Sequence, residues 1–288
     1  LGRRALIRRS AVALAALAVV AGPLILAAGA SADALTPESG GSPNAGDIDT
    51  LYKLALYAAI PVFLAVEIAL VYFLIRYRHR RGAVAAQIRG NTRLEIGWTV
   101  GASLLLVVLS VFTFAKLTEI QNPPASGPAG LGAGGGALYA SVDQPPPPRG
   151  QALNIDVNGQ QYVWRYTYPN GTFSYDEMVV PTDTTVTLDI RAQDVIHSWW
   201  IPELGGKFDA VPGGYVNKTW FKIARPAVYD GQCAELCGRN HANMLARVRA
   251  VSPERYQSWL AAKKRQIDAA NRAAAAQRER LSPTAGAN

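Results

Sequence analysis

Two long apolar runs, Leu54–Ile75 and about Ile96–Ala115, constrain this chain more than any other feature. At about 1.5 Å of rise per residue, the first run alone covers the roughly 30 Å of a bilayer's hydrocarbon. The stretch between them, 76–93, holds six Arg and no acidic residue. Under the positive-inside rule such a cluster marks the cytoplasmic face. Glu95 and Trp98 then fall near the inner surface, while Lys116 and Glu119 mark the outer exit of the second run. The reading is a two-helix transmembrane hairpin over residues 51–118, embedded in a lipid bilayer with both ends outside. Glu67 lies within the first run, where a carboxylate is costly unless it faces a protein partner or is protonated.

The flanks read differently. Residues 1–34 carry a basic start (Arg3, Arg4, Arg8, Arg9), an apolar run from Ala11 to Ala28 and small-x-small sites around Ala30; this is the pattern of a secretory signal peptide. Residues 35–50 are polar and Gly/Ser/Pro-rich, which predicts a flexible exported segment. Residues 119–150 form a Pro/Gly-rich linker with Pro145–Pro148 as a stiff spacer. Residues 253–288 open on Pro253-Glu254 and turn Ala-rich with scattered Arg, predicting a C-terminal helix that passes into a disordered tail.

Charge is distributed to match. The chain carries a formal +8, but residues 151–252 hold nine bases against ten acids. Basicity therefore belongs to the flanks, which argues for a membrane and against nucleic acid. Within 151–252, Leu153–Val157, Thr185–Ile190, Thr219–Ile223 and Ala246–Val251 alternate apolar and polar residues. Tyr162–Tyr166 is aromatic and β-prone. Gly, Pro and Asn punctuate these runs, so the segment reads as an all-β sandwich or barrel with one core.

The chemistry is concentrated in Cys233-Ala-Glu-Leu-Cys237-Gly-Arg-Asn-His241-Ala-Asn-Met244. Both Cys of the chain, one of its two Met and one of its three His stand here. A second, His197, lies upstream in the strand-like run Asp194–Trp200, where Asp194 is placed to orient its ring. Thiolates and a thioether select soft metals, and structural zinc does not use Met. The set points to copper in electron transfer. A single blue copper needs one Cys; two Cys on one loop permit both thiolates to bridge two copper ions. His197 and His241 would then supply one imidazole to each, Met244 one weak ligand, and the backbone carbonyl of Glu235 the other. A redox-active thiol pair and a copper chaperone are the competing readings.

With these residues the chain resembles subunit II of the haem-copper cytochrome c oxidases. The likeness spans about residues 50–260. It rests on Leu94–Thr99, Gln161–Tyr166, Asp194–Pro202, Leu204–Gly213 and the Cys/His/Met loop. It implies a cupredoxin-like Greek-key sandwich holding the binuclear centre CuA. His197, Cys233, Cys237 and Met244 would ligate one copper; Cys233, Cys237, His241 and the Glu235 carbonyl the other. It further implies a magnesium ion shared with subunit I through the Glu235 carboxylate, and Glu95 as the mouth of a proton path. The partners implied are the haem-bearing subunit I, subunit III and cytochrome c as donor, at a bacterial plasma membrane with the copper domain outside. The family usually shows Gln-Trp-x-Trp-x-Tyr at the electron entrance. Here Tyr162 replaces the first Trp, which makes Tyr162 the candidate entrance, with Trp164 packing beneath the copper loop or sharing that role. A nitric oxide reductase with the same copper domain would differ only in its partner.

Overall fold

The computed structural model describes residues 36–78, 84, 86–124, 126 and 152–281. The expected signal segment, most of the Pro/Gly linker, His79 and the last seven residues lie outside that range. The chain divides into two compact units. One holds Asp49–Leu117, the other Ser39–Ile48 with the chain from Thr118 on.

Two helices, α1 (Pro43–Arg76) and α2 (Thr92–Gln121), supply the first unit, apart from residues 43–48 and 118–121, which belong to the second. Both are long and apolar enough to cross a membrane. Large apolar side chains such as Phe63, Leu74, Leu106 and Phe114 are exposed along them. Helices that are apolar all round have no water-facing side, so lipid is the medium that suits them. Pro61 stands inside α1, as is tolerated in membrane helices. At the start of α2 the Asn91 carboxamide oxygen accepts the Leu94 N–H at 3.2 Å, satisfying one of the orphan donors of a helix N-terminus.

The helices are longer than the apolar runs suggested. α1 begins at Pro43, so residues 43–50 of the expected flexible segment are helical. Side-chain anchoring explains this. Ser42 Oγ accepts the Lys222 N–H at 3.1 Å and Asn44 Nδ2 donates to the Trp220 carbonyl at 2.9 Å. Pro43 suits a first helical position, where its missing N–H costs nothing. α2 likewise runs on to Gln121, taking the first three residues of the expected linker. The Trp220 indole N–H donates to the Ile120 carbonyl at 2.9 Å and holds that end.

The second unit is the sandwich. Its strands are β1 (Ala152–Gln160), β2 (Val163–Thr167), β3 (Phe173–Tyr175), β4 (Glu177–Pro181), β5 (Thr185–Ala192), β6 (His197–Trp200), β7 (Phe208–Ala210), β8 (Asn217–Lys222), β9 (Ala227–Cys233) and β10 (Leu245–Val251). One sheet has the order β3-β2-β1-β5-β8, the other β4-β10-β9-β6-β7. β1 pairs parallel with β5, and β10 parallel with β4. These pairings require long connections across the sandwich, the Greek-key architecture expected. β1 alternates half-buried and buried residues along its whole length, as a strand with one face on the core must. The two inner faces meet through Ile155, Val157, Trp164, Tyr166, Leu188, Ile190, Val248 and their neighbours. Each such large apolar side chain contributes about 1.5–3 kcal/mol when fully buried. Tyr168 also ties the sheets together: its hydroxyl accepts the Val179 N–H at 2.8 Å and donates to the Val179 carbonyl at 3.0 Å. After β10, helix α3 (Pro253–Leu281) packs its first turns on this end, with Trp259 edge-on to Tyr168 at 5.2 Å between ring centroids.

Candidate metal centre

Three chain segments meet at one end of the sandwich. His197 opens β6, three positions later than the strand-like run suggested; residues 194–196 are exposed and precede the strand. Trp199 pairs with Cys233 across β6 and β9, which brings the end of β9 beside His197. The Ala234 N–H donates to the Ser198 carbonyl at 2.9 Å, and the Cys233 N–H to the Met244 carbonyl at 2.9 Å. These bonds pin both feet of the loop 233–244. Within it, a 3₁₀ turn at His241–Asn243 brings His241 and Met244 back toward the cysteines. Gly231, just before the loop, lies so close to the Trp200 carbonyl and Ile201 that no Cβ would fit.

The donor atoms converge. The two sulfurs lie 3.9 Å apart. His197 Nδ1 is 3.9 Å from Cys233 Sγ, and His241 Nδ1 is 3.6 Å from Cys237 Sγ. Met244 Sδ stands 3.9 Å from Cys237 Sγ, and the Glu235 carbonyl oxygen 3.3 Å from Cys233 Sγ. His197, Cys233 and Cys237 place their ligand atoms within 4.8 Å of one another. Bonds of about 2.0–2.3 Å at near-tetrahedral angles leave donors roughly 3.3–3.8 Å apart. The spacing therefore fits soft-metal binding, with one imidazole at each end of a thiol pair. Met244, Cys233, Cys237 and His197 are all buried, while Glu235 and Leu236 are exposed.

The electrostatics favour a thiolate at Cys233 and a thiol at Cys237. Burial pushes the Cys233 thiol up, but hydrogen bonds from His197 and from the loop backbone outweigh it and hold Cys233 well below the usual thiol range. Burial, then the neighbouring Cys233 thiolate, pushes Cys237 up. Burial lowers the His197 pKa, but Cys233 and Asp194 more than reverse this. Asp194 accepts His197 Nε2–H at 2.9 Å, leaving Nδ1 to face the sulfurs. Asp194 is itself held below the ordinary carboxylate range: burial works against this, and N–H donation from Gln161, then from His197 and Val195, prevails.

Trp164 is fully buried, with its ring tilted 67° to that of His197 at 5.9 Å. Gly159 permits this contact: a Cβ there would stand 3.0 Å from Trp164 and 3.1 Å from His197. Tyr162 is half-buried, and its hydroxyl lies where a Cβ on Gly238 would be 2.7 Å away. It therefore packs on the Cys237–Gly238 turn. Glu95 belongs to the other unit. Its carboxylate accepts the Asn91 N–H at 3.4 Å at the start of α2. Sequence reasoning missed Gln161, whose side-chain amide donates to the Cys237 carbonyl at 2.6 Å. The aromatic residues after it drew the attention, and nothing in local spacing reveals a contact across 76 residues.

Comparison with known proteins agrees with this geometry. Residues 173–251 match the family described as cytochrome C oxidase subunit II, periplasmic domain, and residues 30–116 match its transmembrane domain. The chain is 33% identical over 213 residues to cytochrome c oxidase subunit 2 of Alkalihalophilus pseudofirmus, covering 72% of this chain and 56% of that one. It is 33% identical over 255 residues to the subunit of the same name from Thermostichus vulcanus, covering 78% and 77%. The crystal structure of the periplasmic domain of subunit II from Bradyrhizobium japonicum is 34% identical, covering 40% of this chain and 94% of that domain with a TM-score of 0.38. Two membrane-capable helices, a Greek-key sandwich and matches along most of its length thus agree, and the chain belongs to the cytochrome c oxidase subunit II family.

Proposed function

We propose that this chain is the electron-transfer subunit of a terminal respiratory oxidase, holding a binuclear copper centre on the outer side of a bacterial plasma membrane. In this reading it takes electrons from cytochrome c and passes them to haem in subunit I, where oxygen is reduced to water with proton transport; subunit III completes the partners. The observation that carries it is the convergence of two thiols, two imidazoles, one thioether and one carbonyl at bonding spacing, with Cys233, Cys237, Met244 and His197 buried.

When bound, the copper pair supplies one-electron transfer without proton exchange. The chain's own residues do the rest. His197, Cys233, Cys237 and Met244 would hold one ion, and Cys233, Cys237, His241 and the Glu235 carbonyl the other. Asp194 holds His197 in the tautomer that presents Nδ1. Trp164 excludes water from behind His197. Met244 is fully buried, so its weak donor is held by packing rather than by bond strength. In this reading the Glu235 carboxylate, which is exposed, shares a magnesium ion with subunit I. Tyr162, half-buried against the Cys237 turn, is the electron entrance, with Trp164 as buried support. Glu95 serves as the mouth of a proton path, a role compatible with its bond to Asn91. The six Arg of 76–93 orient the helices with the sandwich outside.

The test is copper loading of the detergent-solubilised full chain. The expected result is two coppers per chain and a seven-line paramagnetic resonance signal from one electron shared between them. One copper with a four-line signal, or a cuprous site that does not cycle, overturns the reading and favours a copper chaperone.

A further inference from the structure

We propose that Gln161 is a positioning residue of the metal site, clamping the His197 end and the Cys237 end together from the opposite sheet. The inference rests on the copper reading above.

Gln161 occupies the turn between β1 and β2, in the sheet that supplies no ligand. Its backbone N–H donates to Asp194 Oδ2 at 2.7 Å. The other oxygen of that carboxylate accepts the His197 ring N–H at 2.9 Å. Its side-chain amide donates to the Cys237 carbonyl at 2.6 Å. One residue is therefore bonded to the support of one imidazole and to the main chain of one thiol. The fit is tight: a Cβ on Gly238 would stand 2.9 Å from the Gln161 amide nitrogen, and Gly238 has φ +131, so the turn adopts a backbone that leaves room for the amide.

The two arms separate chemically. The backbone bond to Asp194 survives any side-chain substitution. The amide bond to Cys237 needs a donor at the end of a side chain of this length. Met matches the length without a donor. Glu matches the shape, but an ionised carboxylate repels the carbonyl it would face. Loss of the amide bond frees the Cys237–Gly238 turn, and with it the sulfur set between His241 and Met244.

The experiment compares wild type, Gln161→Met, Gln161→Glu and the neighbour Gln160→Met as detergent-solubilised full chains. Copper-free chains are treated with iodoacetamide, and modification is mapped to each cysteine by mass spectrometry. Copper-loaded chains are followed by paramagnetic resonance and by copper release to excess chelator. Both Gln161 variants are expected to modify Cys237 about fivefold faster, the factor one ordinary hydrogen bond of about 1 kcal/mol carries. They should release copper about fivefold faster by the same reasoning and show an altered copper hyperfine pattern. Gln160→Met should match wild type throughout. If either folded Gln161 variant matches wild type in Cys237 reactivity, the inference is overturned. If wild type takes up no copper pair, the copper reading falls, and the thiol measurement still decides the role of Gln161.

Discussion

Gly159 and Asp194 act on His197 from two directions, and each can be tested by one substitution. A Cβ at Gly159 meets both Trp164 and His197. Gly159→Ala should displace the imidazole while the sandwich still folds. Overpacking of this kind costs about 1–3 kcal/mol, so thermal unfolding should shift down by a few degrees while the copper absorption bands change. Asp194→Asn keeps the shape but removes the charge that fixes the ring. Losing such a partner lowers metal affinity by about tenfold or more, which a chelator competition would read. At this scale the five side chains that converge were legible, because four sit at spacings of four, four and three residues and His197 follows an acidic partner. Gln161, Gly159 and Gly238 were not. Their roles consist of contacts with residues remote in sequence, and a glycine's function here is the space it leaves.

Among the elements, α3 separates cleanly into an anchored start and an exposed remainder. Tyr256 is buried and Trp259 packs on Tyr168, whereas residues 269–281 are exposed throughout. Trp259→Ala should cost about 2 kcal/mol, less than a fully buried Trp because Trp259 is only partly buried. Deleting residues 270–288 should change stability by less than about 0.5 kcal/mol. Denaturant unfolding of the two variants side by side checks both. The strands that alternate in sequence, β1, β5, β8 and β10, were legible from period alone. β4 was not, since four of its five residues are buried and the pattern carries no alternation; β3 and β7 are too short to show one. The early start of α1 was missed because its first residues are polar. They are ordered by bonds from Ser42 and Asn44 to β8, and such bonds leave no periodicity.

Over the whole molecule, the tyrosines of the core set an alkaline limit. Burial pushes Tyr166, Tyr168 and Tyr256 well above the ordinary phenol range. Below the unfolded value of about 10 both states are neutral and nothing is lost. As pH rises above it, the unfolded chain ionises and the folded one does not, so stability falls with pH. Phenolate absorbance of these three should appear only together with loss of near-ultraviolet circular dichroism. The two-part architecture was legible because membrane helices and alternating strands have unmistakable compositions. The parallel pairings β1 with β5 and β4 with β10 were not, since parallel neighbours are joined by long connections whose path no local pattern records. The register of Trp199 with Cys233 has a consequence for biogenesis. His197 and Cys233 stand 36 residues apart and come together only once β6 and β9 are zipped. A chain in which these strands have not yet paired therefore has thiols but no joined site, and on the copper reading proposed above the metal can load only after the sandwich closes.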